Sequence, residues 1–516
     1  MNPVSIYTVI INIPIERKVD VLAKRVAVVG AGMGSLAAAI RLGAMGFGVE
    51  VFEKNYQVGG RMGRLEESGF AFDTGPSLLL MTDTYRELFR FAGRDLDDYV
   101  RLIALDGQYR VTFGDGDSLT IHRALPELIK ELERIEPGVT PRFYRFLEDA
   151  CQKYRSGRSE FVERDFEGAR EFFGLRNLRL LLRTGALNNY YRSISKFFRT
   201  EKLRQAFSLQ TMYLGLSPFR APAVYSLLPY AELAEDGLWF PEGGMHALIE
   251  AMERLATELG VAFRLGSPVD EVVVAKGTAR GVRVNGDEVE ADAVLVGADL
   301  PYAYRELLGG SADGDFRLRR RERLEYTASA YMLYLGIDHK LDHMLHHNFY
   351  LSERYKENFE AIFRERRLPE DPSFYAVVPS RTEPSMAPDG MESLFVLVPV
   401  PHLRNAMVDW RRDGALFRER VYELLEERCG IERDNAVFEK VRTPLDWRAE
   451  YNLEEGAAFG VGHGILQVGY FRPPMVSRSV DGLYFVGAST RPGTGVPLVT
   501  IGARLVADRI GREVRA

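Results

Sequence analysis

Three small residues and one acid raise the question of chemistry. In RVAVVGAGMGSLAAAIRLGAMGFGVEVFEK, from Arg25 to Lys54, Gly30 and Gly32 stand two apart and Ser35 follows three further on. Glu53 comes 23 positions after Gly30. Glycines at the first two positions let a backbone turn tightly and approach a pyrophosphate. An acid at that spacing accepts from the ribose hydroxyls of a dinucleotide. The fingerprint asks for a third glycine where Ser35 stands, with Gly34 just before it; serine is small enough for close helix–strand packing. Such a motif carries weight only if its elements are present. Val26, Val28 and Val29 suit a buried strand of a parallel sheet. Leu36, Ala37, Ala38, Ile40, Leu42 and Met45 continue as a helix, whose first N–H groups and dipole face an anion. Val49, Val51 and Phe52 begin a second strand that ends at Glu53. Strand, helix, strand and terminal acid together predict a dinucleotide site.

The next stretch, YQVGGRMG, follows that acid directly. Gly59 and Gly60 free the backbone, and Arg61 can carry a cation toward a phosphate or a flavin. The plainer alternative is a glycine turn with a surface arginine. The chain has 516 residues, enough for two or three domains. Its net charge of −6 gives no support for nucleic-acid binding. Cys151 and Cys429 form neither a disulfide framework nor a CxxC, which points to a reduced, cytoplasmic setting. No stretch approaches the roughly 20 uncharged apolar residues of a membrane-spanning helix. The first residues lack a basic start and a small-residue cleavage site, so they read as an extension rather than a signal peptide.

Further along, Phe70 and Phe72 alternate with small or polar residues before a turn at Gly75-Pro76 and a helix. Tyr109 to His122 reads as a hairpin about Gly114-Asp115-Gly116. Helical periods dominate from about 124 to 218. A helix from Met245 to Leu259, a strand from Val261 to Leu265, a meander turning at Asn285-Gly286 and a buried strand from Ala293 to Val296 follow. Near the end, Leu483 to Val486 is a strand, Gly487 turns it, and Val499 to Ile510 is a helix.

Glu53 followed by GGR resembles the two-dinucleotide-binding-domain flavoproteins. The long motifs are more specific. EKLRQAFSLQTMYLGLSPFRAPAVYSLL (Glu201 to Leu228), WFPEGGMHAL (Trp239 to Leu248), LVPVPHL (Leu397 to Leu403), YFRP (Tyr470 to Pro473) and VGASTRPGTGVP (Val486 to Pro497) resemble bacterial-type phytoene desaturases and related carotenoid desaturases. The resemblance implies an α/β fold: a Rossmann-type FAD-binding domain, discontinuous in sequence, with an inserted mixed α+β substrate domain that includes a helical membrane-facing part. The FAD-binding parts would be residues 25–108, 237–325 and 466–516. The substrate parts would be 109–236, helical and membrane-facing, and 326–465, with 1–24 an N-terminal extension. FAD would be held by Gly30, Ala31, Gly32, Gly34, Ser35, Glu53, Lys54, Gly60, Arg61, Val269, Gly487, Ala488, Gly495 and Val496, and no metal is expected. The implied reaction is FAD-dependent desaturation of a lipophilic, phytoene-type polyene. The flavin takes the hydride, the protein supplies alignment and a dry channel, and quinone or oxygen serves as electron acceptor. The location would be cytoplasmic and peripheral on a membrane surface. RFLEDA (Arg145 to Ala150) matches a family segment in which a carboxylate follows Phe-Leu, which makes Glu148 a candidate acid/base, aided by Asp149. The alternative there is an exposed acid on a helix.

Other signals compete. His343, His346 and His347 stand at i, i+3, i+4, a spacing that can grip a metal, but no acid or cysteine is linked to them, so they read as exposed histidines at a helix end or loop. GVGHG (Gly460 to Gly464) mimics a second nucleotide loop without its strand and helix and reads as a turn. The stretch from Phe172 to Thr200 holds six cations (Arg176, Arg179, Arg183, Arg192, Lys196, Arg199) and no acid. On the residues alone, with Leu180, Leu181, Leu182, Phe197 and Phe198 among them, it reads as a solvated basic face over a core helix; the lipid-resident substrate that the resemblance implies turns the reading to a docking face for an anionic bilayer. Two rival functions remain open: another flavin enzyme on this scaffold, such as an amine oxidase or carotene isomerase, and a non-enzymatic prenyl-chain carrier.

Overall fold

The computed structural model describes residues 24–166, 168–312, 315 and 323–514; nearly all of the expected extension, residues 1–23, lies outside them. The first strand, β1 (Arg25–Val29), is buried from Val26 onward, as its valines require. It pairs in parallel on both sides, with β2 (Gly48–Phe52) and with Ala293–Val296. The sheet runs in the order Leu483–Phe485, Ala293–Val296, β1, β2, Ala262–Arg264, and every pairing is parallel. Residues from three distant stretches of chain therefore meet at the carboxyl edge of one sheet, the edge at which such sheets bind ligands.

Five helices bear on the site: α1 (Met33–Ala44), α2 (Thr140–Gly157), α3 (Leu175–Thr184), α4 (Met245–Glu258) and α5 (Val496–Glu513). The alanine-rich α1 is buried along nearly its whole length and packs against α5 and α4. The expected start of α5 at Val499 is three residues late. Pro497 falls in its first turn, where the missing N–H costs no hydrogen bond.

A three-stranded meander, Val269–Ala275, Thr278–Val284 and Asp287–Glu290, turns at Asn285 and Gly286, both at positive φ. A seven-stranded sheet stands apart from the parallel one. Its order is Ala436–Arg442, Ser329–Ile337, Glu392–Val400, Phe374–Val377, His347–Tyr350, Gly107–Thr112, Ser118–His122, and only the pairing of His347–Tyr350 with Gly107–Thr112 is parallel. Two of the three histidines depart from expectation here, while His343 stays exposed in a turn. His347 opens a central strand, and His346 and His347 are buried rather than exposed on a helix.

The departure of Ser35 from the glycine fingerprint has a structural partner. A Cβ placed at Gly297, at the end of the Ala293–Val296 strand, would come within 1.9 Å of Ser35 Oγ and 3.3 Å of Ser35 Cβ. The glycine missing from the helix is supplied by the neighbouring strand. Gly297→Ala should lower the urea midpoint by an amount equivalent to about 1–3 kcal/mol of overpacking, and adding Ser35→Gly should recover most of the loss. A double variant no more stable than Gly297→Ala would show that the two positions are not coupled.

Candidate functional site

One cavity of about 790 Å³ runs from the carboxyl edge of the parallel sheet to the region of α3. At the sheet end, Gly30 takes φ +88° and its N–H donates to Phe52 O, closing the turn against β2. Glu53 is buried, and both of its oxygens accept backbone N–H groups, Ala31 N at 2.7 Å and Asn55 N at 2.9 Å. These bonds aim the carboxylate at the glycine turn and leave lone pairs for a diol. The second glycine loop lies on the first: Gly59 N donates to Ala31 O at 2.8 Å, and a Cβ at Gly60 would stand 3.3 Å from Gly32 Cα.

Arg61 is a half-buried residue lining this site rather than a surface arginine. Its Nη1 donates to Ala458 O at 2.7 Å, and it faces the carboxyl of Asp299. Burial lowers the Arg61 pKa and raises that of Asp299. Asp299 accepts from Ser489 Oγ and, at 2.9 Å, from Glu454 N, so it ties three segments together. Lys54 Nζ donates to Ala449 O and Asn452 Oδ1, each at 3.0 Å, joining β2 to the region beyond the seven-stranded sheet.

The C-terminal turn closes the cavity from the other side. Gly487, Gly493 and Gly495 all have positive φ, and Gly495 leads into α5 with no capping side chain. Arg472, 1% exposed, donates to the carbonyls of Val461, Gly462, Gln467, Ala488 and Thr490. This desolvation pushes its pKa down to about 10. His463 Nε2 accepts from Thr494 N at 3.1 Å, which requires a neutral ring; burial holds its pKa well below the usual range. GVGHG is largely extended rather than a turn, with Val461 in a β-bridge to Tyr326, and its histidine is built into the site.

Of the predicted cofactor residues, Gly30, Gly32, Gly34, Ser35, Glu53, Lys54, Gly60, Arg61, Val269, Gly487, Ala488, Gly495 and Val496 all line this cavity. Ala31 contributes through its N–H to Glu53. Asp299, His463, Arg472 and Arg491 were not singled out from sequence, since their partners lie outside any local motif. The one sequence hint is at Asp299, which stands three residues past the buried strand Ala293–Val296. Glu148 is not brought to the cavity: it lies exposed on the outer face of α2. Its neighbour Asp149 pairs with Lys153, which does line the cavity.

The three histidines find protein partners. His343 Nε2 meets Cys429 O, His346 Nδ1 meets Thr382 Oγ1, and His347 Nδ1 meets the Tyr375 hydroxyl at 2.8 Å. Burial lowers the His346 pKa to about 3. Among the described residues no group of His, Cys, Asp or Glu is placed to hold a metal.

Away from the sheet edge the lining turns apolar: Met332, Phe349, Tyr213, Tyr375 and Leu397, then Phe172, Phe173, Leu180, Leu181, Leu187, Ile465 and Phe471 near α3. Arg491 crosses between the two regions, donating to Phe166 O at 2.9 Å and Tyr470 O at 2.7 Å. Outside this end, Leu175, Leu178 and Leu182 share one outward face of α3 and are 72%, 46% and 74% exposed; Phe173, Leu187, Ile465 and Leu466 are exposed beside it. Phe198 is buried and Phe197 half-buried, packed on Phe146, so these two aromatics belong to the core rather than to an outer face. Arg176, Arg179, Arg192, Lys196 and Arg199 are exposed, while the Arg183 side chain lies outside what is described.

The flavin containing amine oxidoreductase family matches residues 36–511 of the chain. The zeta-carotene-forming phytoene desaturase of Myxococcus xanthus is 46% identical over 490 residues, 94% of each chain. The 4,4'-diapophytoene desaturase (4,4'-diaponeurosporene-forming) of Staphylococcus haemolyticus is 36% identical over 497 residues, 95% of this chain and 99% of that one. Among solved structures, putrescine oxidase bound to putrescine matches with a TM-score of 0.62 at 18% identity, over 95% of this chain and 99% of that one, a likeness of fold.

Glu53→Ala removes the acceptor aimed at the glycine turn. FAD affinity, measured calorimetrically, should fall roughly ten- to hundred-fold, the worth of a hydrogen bond to a charged group. Unchanged affinity would remove Glu53 from the ribose role.

Proposed function

Because the chain belongs to the flavin-containing amine oxidoreductases and, within them, to the carotenoid desaturases, we propose that it is an FAD-dependent desaturase of a phytoene-type polyene. The observation that carries this reading is the single cavity, polar and glycine-lined at the sheet edge and apolar for the rest of its course toward the exposed leucines of α3.

The residues at the sheet edge fit FAD. A Cβ at Gly32 or Gly495 would meet nothing within 4 Å, so both turns keep open space beside them. Neither α1 nor α5 has a capping side chain, which leaves their first N–H groups for ligand oxygens. In this reading the first turn of α1 holds the pyrophosphate, Glu53 the ribose, and Arg61 and Lys54 balance charge. The turn from Gly487 to Val496 holds the ring system, with the positive end of α5 toward it. When bound, FAD supplies the hydride acceptor. The chain's own part is to align the polyene, exclude water and keep charged groups tied to protein partners, as Asp299 and Arg472 are.

The three separated stretches around the parallel sheet form the cofactor part, and the seven-stranded sheet with the helices between 109 and 236 forms the inserted substrate part. Among the described residues no helix is long and apolar enough to cross a membrane. Peripheral docking through α3 suits a substrate that resides in lipid. Leu175, Leu178 and Leu182 enter the bilayer, Arg179 and Lys196 meet anionic headgroups, and the polyene passes between Phe173, Leu187 and Ile465. Quinone or oxygen takes the electrons, since among the described residues no second loop meets the requirements of a nucleotide site.

Purified protein with FAD, a quinone and phytoene in liposomes should produce longer polyenes without any nicotinamide. A strict requirement for NAD or NADP would overturn the assigned acceptor. On vesicle flotation, Leu175→Asp/Leu178→Asp/Leu182→Asp should lose binding at all salt concentrations. Arg179→Glu/Lys196→Glu should lose only the salt-sensitive part, about 1 kcal/mol per cation. Parent-like flotation of the leucine variant would remove α3 from the membrane face.

A further inference from the structure

Beneath the apolar part of the cavity lies a carboxyl group that the reading above does not use. Glu232 sits in the short helical segment 227–235 and is 1% exposed. Tyr109, from the seven-stranded sheet, donates its hydroxyl to Glu232 Oε2 at 3.1 Å. Gln210 donates to Tyr109 Oη at 2.9 Å and, more distantly at 3.4 Å, to the same Oε2. Glu232 Oε1 has no partner. The Tyr213 hydroxyl lies beside the carboxyl outside hydrogen-bonding geometry.

The groups facing this carboxyl are the phenols of Tyr109, Tyr190, Tyr213 and Tyr375 and the amide of Gln210, and among them there is no lysine or arginine. Burial without a compensating cation lifts the acid to about 7. The layer between Glu232 and the cavity is aromatic. Tyr109 stands edge-on to Phe349 with centroids 5.3 Å apart, Tyr213 lies 6.1 Å from Phe349, and Phe349 stacks on Tyr375 at 4.4 Å. Phe349, Tyr213 and Tyr375 all line the cavity.

A buried acid facing no cation is costly to keep as a structural group alone. Desaturation gives such a charge work to do. A hydride leaves one carbon of the chain with its bond pair, for the bound flavin. A proton is lost from the neighbouring carbon, ending in the solvent outside the cavity, and that C–H pair becomes the new double bond. Between the two losses, positive charge rests on the chain. An aromatic surface backed by a carboxylate attracts such a charge through both the ring faces and the acid.

We propose that Glu232, acting through the floor formed by Tyr213 and Phe349, is the counter-charge that stabilises the cationic polyene. It is a positioning residue, since it touches neither substrate nor cofactor. The inference rests on the desaturase reading.

The test uses binding to the FAD-loaded protein rather than turnover. The probes are a linear isoprenoid carrying a quaternary nitrogen in place of one chain carbon and its isosteric all-carbon counterpart. The parent should bind the cationic chain at least about tenfold tighter than the neutral one once the acid is ionised, and this preference should vanish as pH falls through about 7. Glu232→Gln should bind the neutral chain like the parent and show no cationic preference at any pH. Glu232→Asp, tested for retained FAD, should keep a pH-dependent preference. A full preference in Glu232→Gln, or a parent preference that does not change with pH, overturns the role of Glu232 alone. A parent that binds neither chain overturns the desaturase reading and this inference with it.

Discussion

Two buried charges, each anchored on backbone groups, hold the cavity in shape. Burying an ion is unfavourable unless it is hydrogen-bonded. Glu53 accepts one N–H on each oxygen and keeps lone pairs toward the glycine turn, and Arg472 donates to five carbonyls. The first fixes the end of β2 against the glycine turn. The second fixes the stretch 461–467 against the C-terminal turn. The parallel sheet brings these two clamps to the same edge because β1 pairs with β2 on one side and, through Ala293–Val296, leads to Leu483–Phe485 on the other. The seven-stranded sheet then has only to supply an apolar floor.

The clamps differ in how visible they are from sequence. Glu53 belongs to a local unit of about 30 residues whose strand, helix and acid lie in register, so its place at the glycine turn, with its glycine neighbours, was readable. Arg472 and His463 belong to no such unit. Their partners are backbone groups 5 to 31 residues away, and hydrogen bonds of that kind leave no periodic trace. Asp299 lies between these cases, standing just past a buried strand while its partners come from 454 and 489.

The expectations that failed did so for a common reason: burial, which spacing does not reveal. His346 and His347 read as exposed, yet the segment enters a central strand and each ring finds a buried protein partner. Glu148 matched a motif, but the face of α2 that turns inward carries Phe143, Phe146, Ala150 and Lys153 instead. Phe197 and Phe198 were counted with the outward cations, while packing against Phe146 draws them into the core. Ser35 is the opposite case. A departure from the fingerprint proved tolerable because Gly297 yields the space, a compensation that only the paired strands reveal.

The central claim is that electrons pass to the cofactor from a hydrocarbon chain held in a dry, apolar cavity. It is tested most directly by a single-turnover experiment without oxygen, in which FAD-loaded protein is mixed with phytoene in liposomes and absorbance is followed. The account predicts that the oxidised flavin band bleaches while polyene bands grow in matching amount, with no nicotinamide and no other acceptor present. A flavin that stays oxidised with phytoene but bleaches on adding an amine such as putrescine would contradict it, and would place the chain with the amine oxidases whose fold it shares.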